Sequence, residues 1–484
     1  MGYLMDFRPP FFRGASSNRK ATHGAALGAL WRLLELPEEA LDFIDLPGAD
    51  PVLPSSFPVG MAAQYSMGAA ALAAAEIWHL RGGGKRQRVT VDMRHAAQET
   101  RGFYTLNGVP STRYDKITGV YRCADDNWVR IHANFAHHRD GALALLGCPT
   151  GATVDRRMVE KSLARWNSFE FEQAAADAGL VVAAMRSFDE WDRHPQGIAV
   201  SQLPVISIER IGDAPPLALP SYGADPRPLK DIRVLDLTRI LAGPVGGRTL
   251  AAYGADVMLL NSPNLPNIDA IAETSRGKLS VHADLDTATG RITLGNLLRS
   301  AHIFTQAYRP GALADLGFSV EDVARIRPGI VCVSLSAYGH VGPWAGRRGF
   351  DSLVQTASGF NHAEAKAANQ EAPKPLPTQI LDYATGYLMA CGAQAALIRQ
   401  ATEGGSWHVR VSLAQTGRWL RGLPRQQSGL GCPLPPLDPY LETTDSGFGR
   451  LTAVRHAARF SVTPARWARP SVPPGTHPTV WPFS

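Results

Sequence analysis

Cysteine is scarce in this 484-residue sequence: five residues, Cys123, Cys148, Cys332, Cys391 and Cys432, odd in number and with no Cys-x-x-Cys among them. A disulfide scaffold is thereby excluded, and the pattern suits a reducing, cytoplasmic setting. Long apolar runs are missing too. The most apolar stretch, Val59 to Trp78, is Ala-rich and interrupted by Gln64 and Glu76, which predicts a buried core helix and no membrane span. The start, Met1 to Asp6, has no apolar h-region and no Ser or Thr at position 6, so neither a signal peptide nor myristoylation is expected. A large excess of either charge is missing as well. Lys and Arg number 49 against 43 Asp and Glu, a net +6, which an anionic small ligand explains as well as nucleic acid does. The short basic clusters Lys85-Arg86-Gln87-Arg88 and Arg347-Arg348 have no interleaved aromatics, so nucleic-acid binding is set aside.

What is present is a globular composition, 45% hydrophobic, enough for a large core and too apolar for a disordered chain. The length allows about three domains, and 46 Gly with 36 Pro point to many short connections. Residues 1–54 read as an irregular segment with a helix from Ala26 to Glu35. An Ala-rich helix follows and stops at Gly82-Gly83-Gly84. Gly119 to Cys123 and Asn127 to His132 read as paired strands around a turn at Asp125-Asp126-Asn127. Helical patterns occupy 155–180 and 187–193, and residues 211–230 are a Pro-rich linker. Beyond it, strands at Ile232–Leu237, Ala255–Leu260, Ile303–Thr305 and Ile330–Leu335 alternate with helices at Gly243–Tyr253, 288–299 and 320–326. That rhythm predicts a parallel sheet covered on both faces. Ligands of such sheets bind at the carboxyl ends of strands, where Leu237 to Pro244 falls. An internal echo is also visible: an Ala-rich helix leads into glycines and a strand at Gly83 to Arg94, and again at Gly404 to Gln415.

Several motifs carry less than they suggest. Gly82-Gly83-Gly84-Lys85 follows a helix and lacks a Ser or Thr after the lysine, unlike a P-loop. His132, His137 and His138 with Asp140 have no second cluster at metal-ligand spacing. Gly243 to Gly247 is not a dinucleotide fingerprint, and Asn261 stands where that fingerprint needs an acid. Asp382 differs. It follows the Pro-rich stretch Pro373 to Leu381 and opens a helix, Tyr383 to Arg399, among apolar neighbours. It reads either as a helix N-cap, a contribution of about 1 kcal/mol, or as a carboxylate nucleophile held ionised by the helix N-terminus.

The segments Leu235-Asp236-Leu237-Thr238-Arg239, Tyr253-Gly254-Ala255-Asp256, Ser275-Arg276-Gly277-Lys278, Tyr308-Arg309-Pro310-Gly311, Arg327-Pro328-Gly329, Ser336-Ala337-Tyr338-Gly339, Gly349-Phe350-Asp351 and Leu381-Asp382-Tyr383-Ala384-Thr385-Gly386 resemble, in order, the family III CoA-transferases (the formyl-CoA transferase and carnitine CoA-transferase superfamily). The first half resembles the other part of that family at Arg88 to Asp92, Gly119 to Val129 and Glu190 to Gly197, so the parts stand in permuted order. The resemblance implies an α/β fold: a Rossmann-like parallel-sheet large domain with a smaller α+β domain, in homodimers. It divides the chain into an irregular segment 1–54, a unit 55–210 with an active-site-like helix and the small domain, a linker 211–230, a CoA-binding domain 231–413 and a tail 414–484.

The resemblance also implies a chemistry. Coenzyme A would pass from an acyl-CoA to a small carboxylic acid through an aspartyl-CoA thioester on Asp382. Coenzyme A would be substrate, and no permanent cofactor is implied. Leu241, Ala242, Arg276, Lys278, Ala307, Tyr308, Arg309 and Tyr338 would contact it, with the basic residues on its phosphates. In the first copy the counterpart of Asp382 falls at or near Ala62, which implies one site per chain. Gln306-Ala307-Tyr308 departs from the usual Glu-Asn-Phe, and the glycine-rich active-site loop has no match near Asp115 to Gly119. An α-methylacyl-CoA racemase would need a histidine where Phe350 stands. A CoA-binding pseudoenzyme is the alternative from another class, opposed by the intact Asp382 context.

Overall fold

The computed structural model describes residues 19–111, 114–151, 154–220 and 225–482. Its elements follow from burial. Helix α1 (Val59–Leu80) is buried on every side from Val59 to Trp78, as a helix with apolar residues on all its faces must be. No helix among the described residues is long and apolar enough to cross a membrane. The main sheet is built from β1 (Ile206–Gly212), β2 (Arg233–Leu237), β3 (Asp256–Asn261), β4 (Leu279–His282), β5 (Ile303–Gln306), β6 (Val331–Ser336) and β7 (Ser406–Ser412). Helices α2 (Ala242–Ala252), α3 (Asp351–Ala357), α4 (Ile380–Glu403) and α5 (Leu413–Gly422) belong to the same half. The spatial order is β4-β3-β2-β5-β6-β7-β1. All neighbours are parallel except β1, which runs antiparallel to β7. From β2 the chain first winds one way to β3 and β4, then returns to β5 and winds the other way. The crevice between β2 and β5 is therefore the topological switch point, where such sheets hold ligands.

Two details escaped the sequence reading. Strand β4 lies in the segment read only as a motif around Lys278. Strand β1, at the end of the first half and running into the linker, joins the main sheet. The small domain is an antiparallel sheet of Gly119–Arg122, Trp128–Ile131 and Val182–Ala184 with its own apolar core around Val129, Leu143 and Phe171. Residues 414–484, read as a tail, are structural: strands Leu441–Ser446 and Gly449–Val454 extend a sheet with Tyr104–Leu106, and Ala458–Phe460 pairs with Val89–Val91.

The two echoing segments share backbone features. Helices α1 and α4 pack together, with the Gln394 amide donating to the Ala70 carbonyl at 3.0 Å. The residues before them have matched dihedrals, Pro58 at φ −79°, ψ 64° and Gln379 at φ −79°, ψ 58°. Each helix exits through left-handed glycines, Gly82 and Gly84 in one case and Gly404 and Gly405 in the other, a conformation that favours glycine. The helix register pairs Met61 with Asp382, one residue before Ala62.

A buried ionic network ties the parts together. Glu99 of the first half meets Arg248 of α2 at 3.0 Å, both side chains 1% exposed. His456 bridges Glu99 Oε1 (3.2 Å) and the Tyr253 hydroxyl (3.1 Å). Arg276 pairs with Glu273 and with Glu442 (3.0 Å) and lies 3.7 Å over the Trp467 ring.

Candidate active site

A cavity of about 410 Å³ opens at the carboxyl ends of β2, β5, β6 and β7. The β2–α2 turn supplies Leu237 and Arg239 to Gly243, the β5 end supplies Ala307 to Pro310, and the β6 end supplies Leu335 to Ala337. The loop before α3 adds Arg347 to Phe350, and the small domain adds Phe135, His137 and His138. Both halves of the chain thus wall one space. The β2–α2 turn is tight. Ile240 sits at φ +75°, a strained conformation for a β-branched residue that tends to persist at functional sites. A Cβ on Gly243 would lie 2.4 Å from the Thr238 Cβ. Leu241 offers no side-chain cap to α2, so the first amides of that helix face the cavity without one, a ready anion site.

Among the described residues Asp382 is the one acidic residue in the lining, and it is 7% exposed. It is the third residue of α4, inside the helix and not its N-cap. The cap comes from elsewhere: Gln379 gives no side-chain bond, and Asp351, fully buried in α3, accepts the Asp382 N–H on Oδ2 at 3.0 Å. The Gln355 amide donates to the other Asp351 oxygen. Burial raises Asp351 to about 6 despite these donors. Burial, then the Asp351 charge, pushes Asp382 well above the usual carboxylate range. The expected ionising pull of the helix N-terminus is thus opposed from two sides, because the carboxyl is shielded from water and faces a like charge.

Basic groups dominate the rest of the wall. Arg347 lies against Glu172 at 4.0 Å and over Trp344, while among the described residues no carboxylate pairs with Arg239, Arg309 or Arg348. His138 is 6% exposed with neither ring nitrogen bonded, and burial lowers it to about 4. Phe350 stacks on His132 at 4.1 Å. No group of three His, Cys, Asp or Glu placed to hold a metal ion occurs among the described residues.

Of the residues singled out from sequence, Leu241, Ala242, Ala307, Tyr308 and Arg309 line the cavity with Asp382. Arg276, Lys278 and Tyr338 do not. Arg276 is 3% exposed within the ionic network, and Lys278, fully buried, binds Asp236 at 2.9 Å and the Pro244 carbonyl at 2.8 Å. Tyr338 packs edge-on against Trp344. The charges of Arg276 and Lys278 are used inside the protein and Tyr338 is buried, which spacing alone could not reveal. The sequence reading missed Arg239, Arg347, Arg348 and the small-domain wall. Arg347-Arg348 had been weighed only as a charge cluster, and His137 and His138 only as metal ligands.

The sequence model described as CoA-transferase family III matches residues 229–424. An acyl-CoA transferase of Gibberella moniliformis is 28% identical over 380 residues, 70% of this chain and 66% of the relative. A succinate–glutarate CoA-transferase of Agrobacterium fabrum is 31% identical over 205 residues, covering 38% of this chain and 51% of its own. The crystal structure of a hypothetical protein from Mycobacterium tuberculosis aligns at 29% identity with a TM-score of 0.38, over 40% of this chain and 57% of that one. The chain spans about half to two thirds of the length of these curated relatives.

Proposed function

We propose, from the premise that residues 229–424 place this chain in CoA-transferase family III, that it moves coenzyme A from an acyl-CoA to a carboxylic acid with Asp382 as nucleophile. The observation that carries this is a single near-buried carboxylate in an arginine-lined cavity at the switch point of the sheet. An Asp382 oxygen attacks the thioester carbonyl, the C–S bond breaks, and CoA thiolate leaves behind a mixed anhydride. The thiolate then attacks the aspartyl carbonyl, releasing the first acid and forming an aspartyl-CoA thioester. The incoming carboxylate repeats these steps in reverse and departs as the new acyl-CoA. Division into covalent steps replaces one difficult exchange by several easier ones.

Each part of the wall has work in that sequence. Arg239 and Arg309, beside the β2–β5 crevice and without carboxylate partners, take phosphate oxygens by charge-assisted hydrogen bonds. The uncapped amides at the start of α2 offer donors to a phosphate or a developing oxyanion. Phe135, Phe350 and Leu413 keep water from an anhydride and a thioester that both hydrolyse. Only the ionised fraction of Asp382 attacks, so transfer rises with pH through a limb above the ordinary carboxylate range.

The test is a trapping experiment. The protein is incubated with mixed acyl-CoAs, quenched with hydroxylamine, and its peptides are mapped by mass spectrometry. A hydroxamate on Asp382, lost in Asp382→Asn together with transfer, is expected. Turnover with Asp382 unmodified would overturn the proposal.

A further inference from the structure

The paired helices contain a comparison built into one chain. In the second unit, Gly349-Phe350-Asp351 precedes α4, and Asp351 accepts the N–H of Asp382 at 3.0 Å, with the neighbouring Leu381 amide also holding its carboxyl down. In the first unit, Gly48-Ala49-Asp50 precedes α1, and the Asp50 carboxylate accepts the N–H of Gly60 at 3.2 Å and of Met61 at 2.7 Å. These are the second and third residues of each helix. Both glycines are confined in the same way: a Cβ on Gly48 would meet the Met93 Cβ at 2.8 Å, and one on Gly349 would meet the Tyr338 ring at 2.7 Å. Neither helix is capped by the residue before it. An aspartate from outside the helix does this work twice, once before a nucleophile and once before Met61, which can attack nothing.

We infer that Asp351 is a positioning residue of the transfer reaction: it anchors the first turn of α4 from outside, as Asp50 anchors that of α1, and so presents Asp382 to the cavity. The inference rests on the transferase reading for its kinetic consequences. A carboxylate bonded to a helix-terminal amide satisfies a group that would otherwise be buried without a partner. It also spares Asp382 from capping its own helix; among the described residues no hydrogen bond to the Asp382 carboxylate is formed. What distinguishes the units is the second effect of the same charge. Asp351 faces the Asp382 carboxyl, whereas the titratable side chains near Asp50 are Tyr65 and Cys432. The groups around Asp351 are Arg130 from the small-domain sheet, Gln355 of its own helix, and the Leu381 and Asp382 amides with the Asp382 carboxyl. Around Asp382 lie Asp351 and, across the cavity, Arg239, Arg309, Arg347, Arg348, His137 and His138.

Four variants separate anchoring from packing. Asp351→Ala removes the anchor. Asp351→Asn keeps an acceptor oxygen and removes the charge. Asp50→Ala and Asp50→Asn make the same changes at the unit without a nucleophile. Hydrogen exchange of the Leu381 and Asp382 amides reads the anchor without any activity: it accelerates at least tenfold in Asp351→Ala and stays near wild type in Asp351→Asn. In acyl transfer, Asp351→Ala lowers kcat by about 10- to 100-fold with KM for acyl-CoA within about twofold. Asp351→Asn restores most of kcat and moves the acid limb of kcat/KM down by about one pH unit, because Asp382 then ionises beside a neutral group. Neither Asp50 variant moves that limb. Unchanged amide exchange in Asp351→Ala overturns the inference, and so does an acid limb that moves equally in Asp50→Asn and Asp351→Asn. Accelerated amide exchange in Asp351→Ala with no transfer by any variant or by the wild type sinks the transferase reading and leaves the anchor standing.

Discussion

Replacing Lys278 by methionine discriminates sharply between a ligand-binding lysine and a structural one. Lys278 and Asp236 are both fully buried, and the ammonium donates to Asp236 Oδ2 at 2.9 Å and to the Pro244 carbonyl at 2.8 Å. Burial lowers the lysine, and the Asp236 charge opposes that. Methionine fills most of the stem but leaves Oδ2 without a donor inside the core. Removing one member of a buried pair costs about 3–5 kcal/mol. Asp236 Oδ1 keeps three donors, the Thr238 amide at 3.0 Å, the Thr238 hydroxyl at 2.6 Å and the Thr305 hydroxyl at 3.1 Å, which places the loss near the lower end, about 3 kcal/mol. That is roughly a 150-fold change in the folding equilibrium. Urea unfolding followed by tryptophan fluorescence reads it. The double variant Lys278→Met/Asp236→Asn should recover part of the loss, since no bare charge then remains. KM for acyl-CoA should stay within about twofold, because Lys278 contributes nothing to the cavity wall. A tenfold rise in KM with an unchanged unfolding midpoint would refute this reasoning and return Lys278 to the phosphates.

Other consequences can be checked with similar means. Arg239→Gln and Arg309→Gln should each raise KM for acyl-CoA by about tenfold, the loss of one charge-assisted hydrogen bond, with kcat little changed in steady-state assays. Burial alone would raise Glu99, but His456 and Arg248 outweigh it and hold its carboxyl below the usual range. A depressed folded value means the stabilisation is complete above the unfolded value and is lost as pH falls. Acid unfolding should therefore steepen below about pH 4.5, and Glu99→Gln, less stable at neutral pH, should show a shallower acid slope in circular dichroism. Phe135, His138 and Asp382 belong to one chain, so specific activity should stay constant on dilution into the nanomolar range; a fall would show that a second copy completes the site.

Much of the second half could be read from its sequence because its strands are short apolar runs buried on both faces, bounded by turns. Arg233 to Leu237 and Val331 to Ser336 are of that kind, and their ends locate the cavity. Strand β4 escaped because its polar Ser280 and His282 break the apolar run, and its place is fixed by pairing with β3. Lys278 and Arg276 were legible as basic residues in a motif. Glu273 lies 3 positions from Arg276, but the partners Asp236 and Glu442 lie 42 and 166 positions away, and only folding brings those together. Asp382 was recognisable from its neighbours, whereas its elevated proton affinity comes from burial and then from Asp351, which is 31 positions distant.

That one helix unit carries Asp382 and the other Met61 at the same position has a physical basis in what covers each helix start. Over α4 lies the cavity, because the carboxyl ends of four parallel strands stand apart there. Over α1 lies chain. The Gln426 amide and the Arg425 guanidinium both donate to the Ser56 carbonyl at 2.9 Å, the Cys432 thiol reaches the Pro51 carbonyl at 3.3 Å, and the Gln98 amide holds the Pro435 carbonyl at 2.6 Å. Met61 is 8% exposed beneath this cover. An aspartate at Met61 would meet no thioester and would add an unpaired buried charge beside Asp50, itself already raised to about 6 by burial. A thioether at that position avoids this penalty. The carboxylate that anchors the helix is still needed there, because the amides of Gly60 and Met61 remain buried whether or not anything reacts.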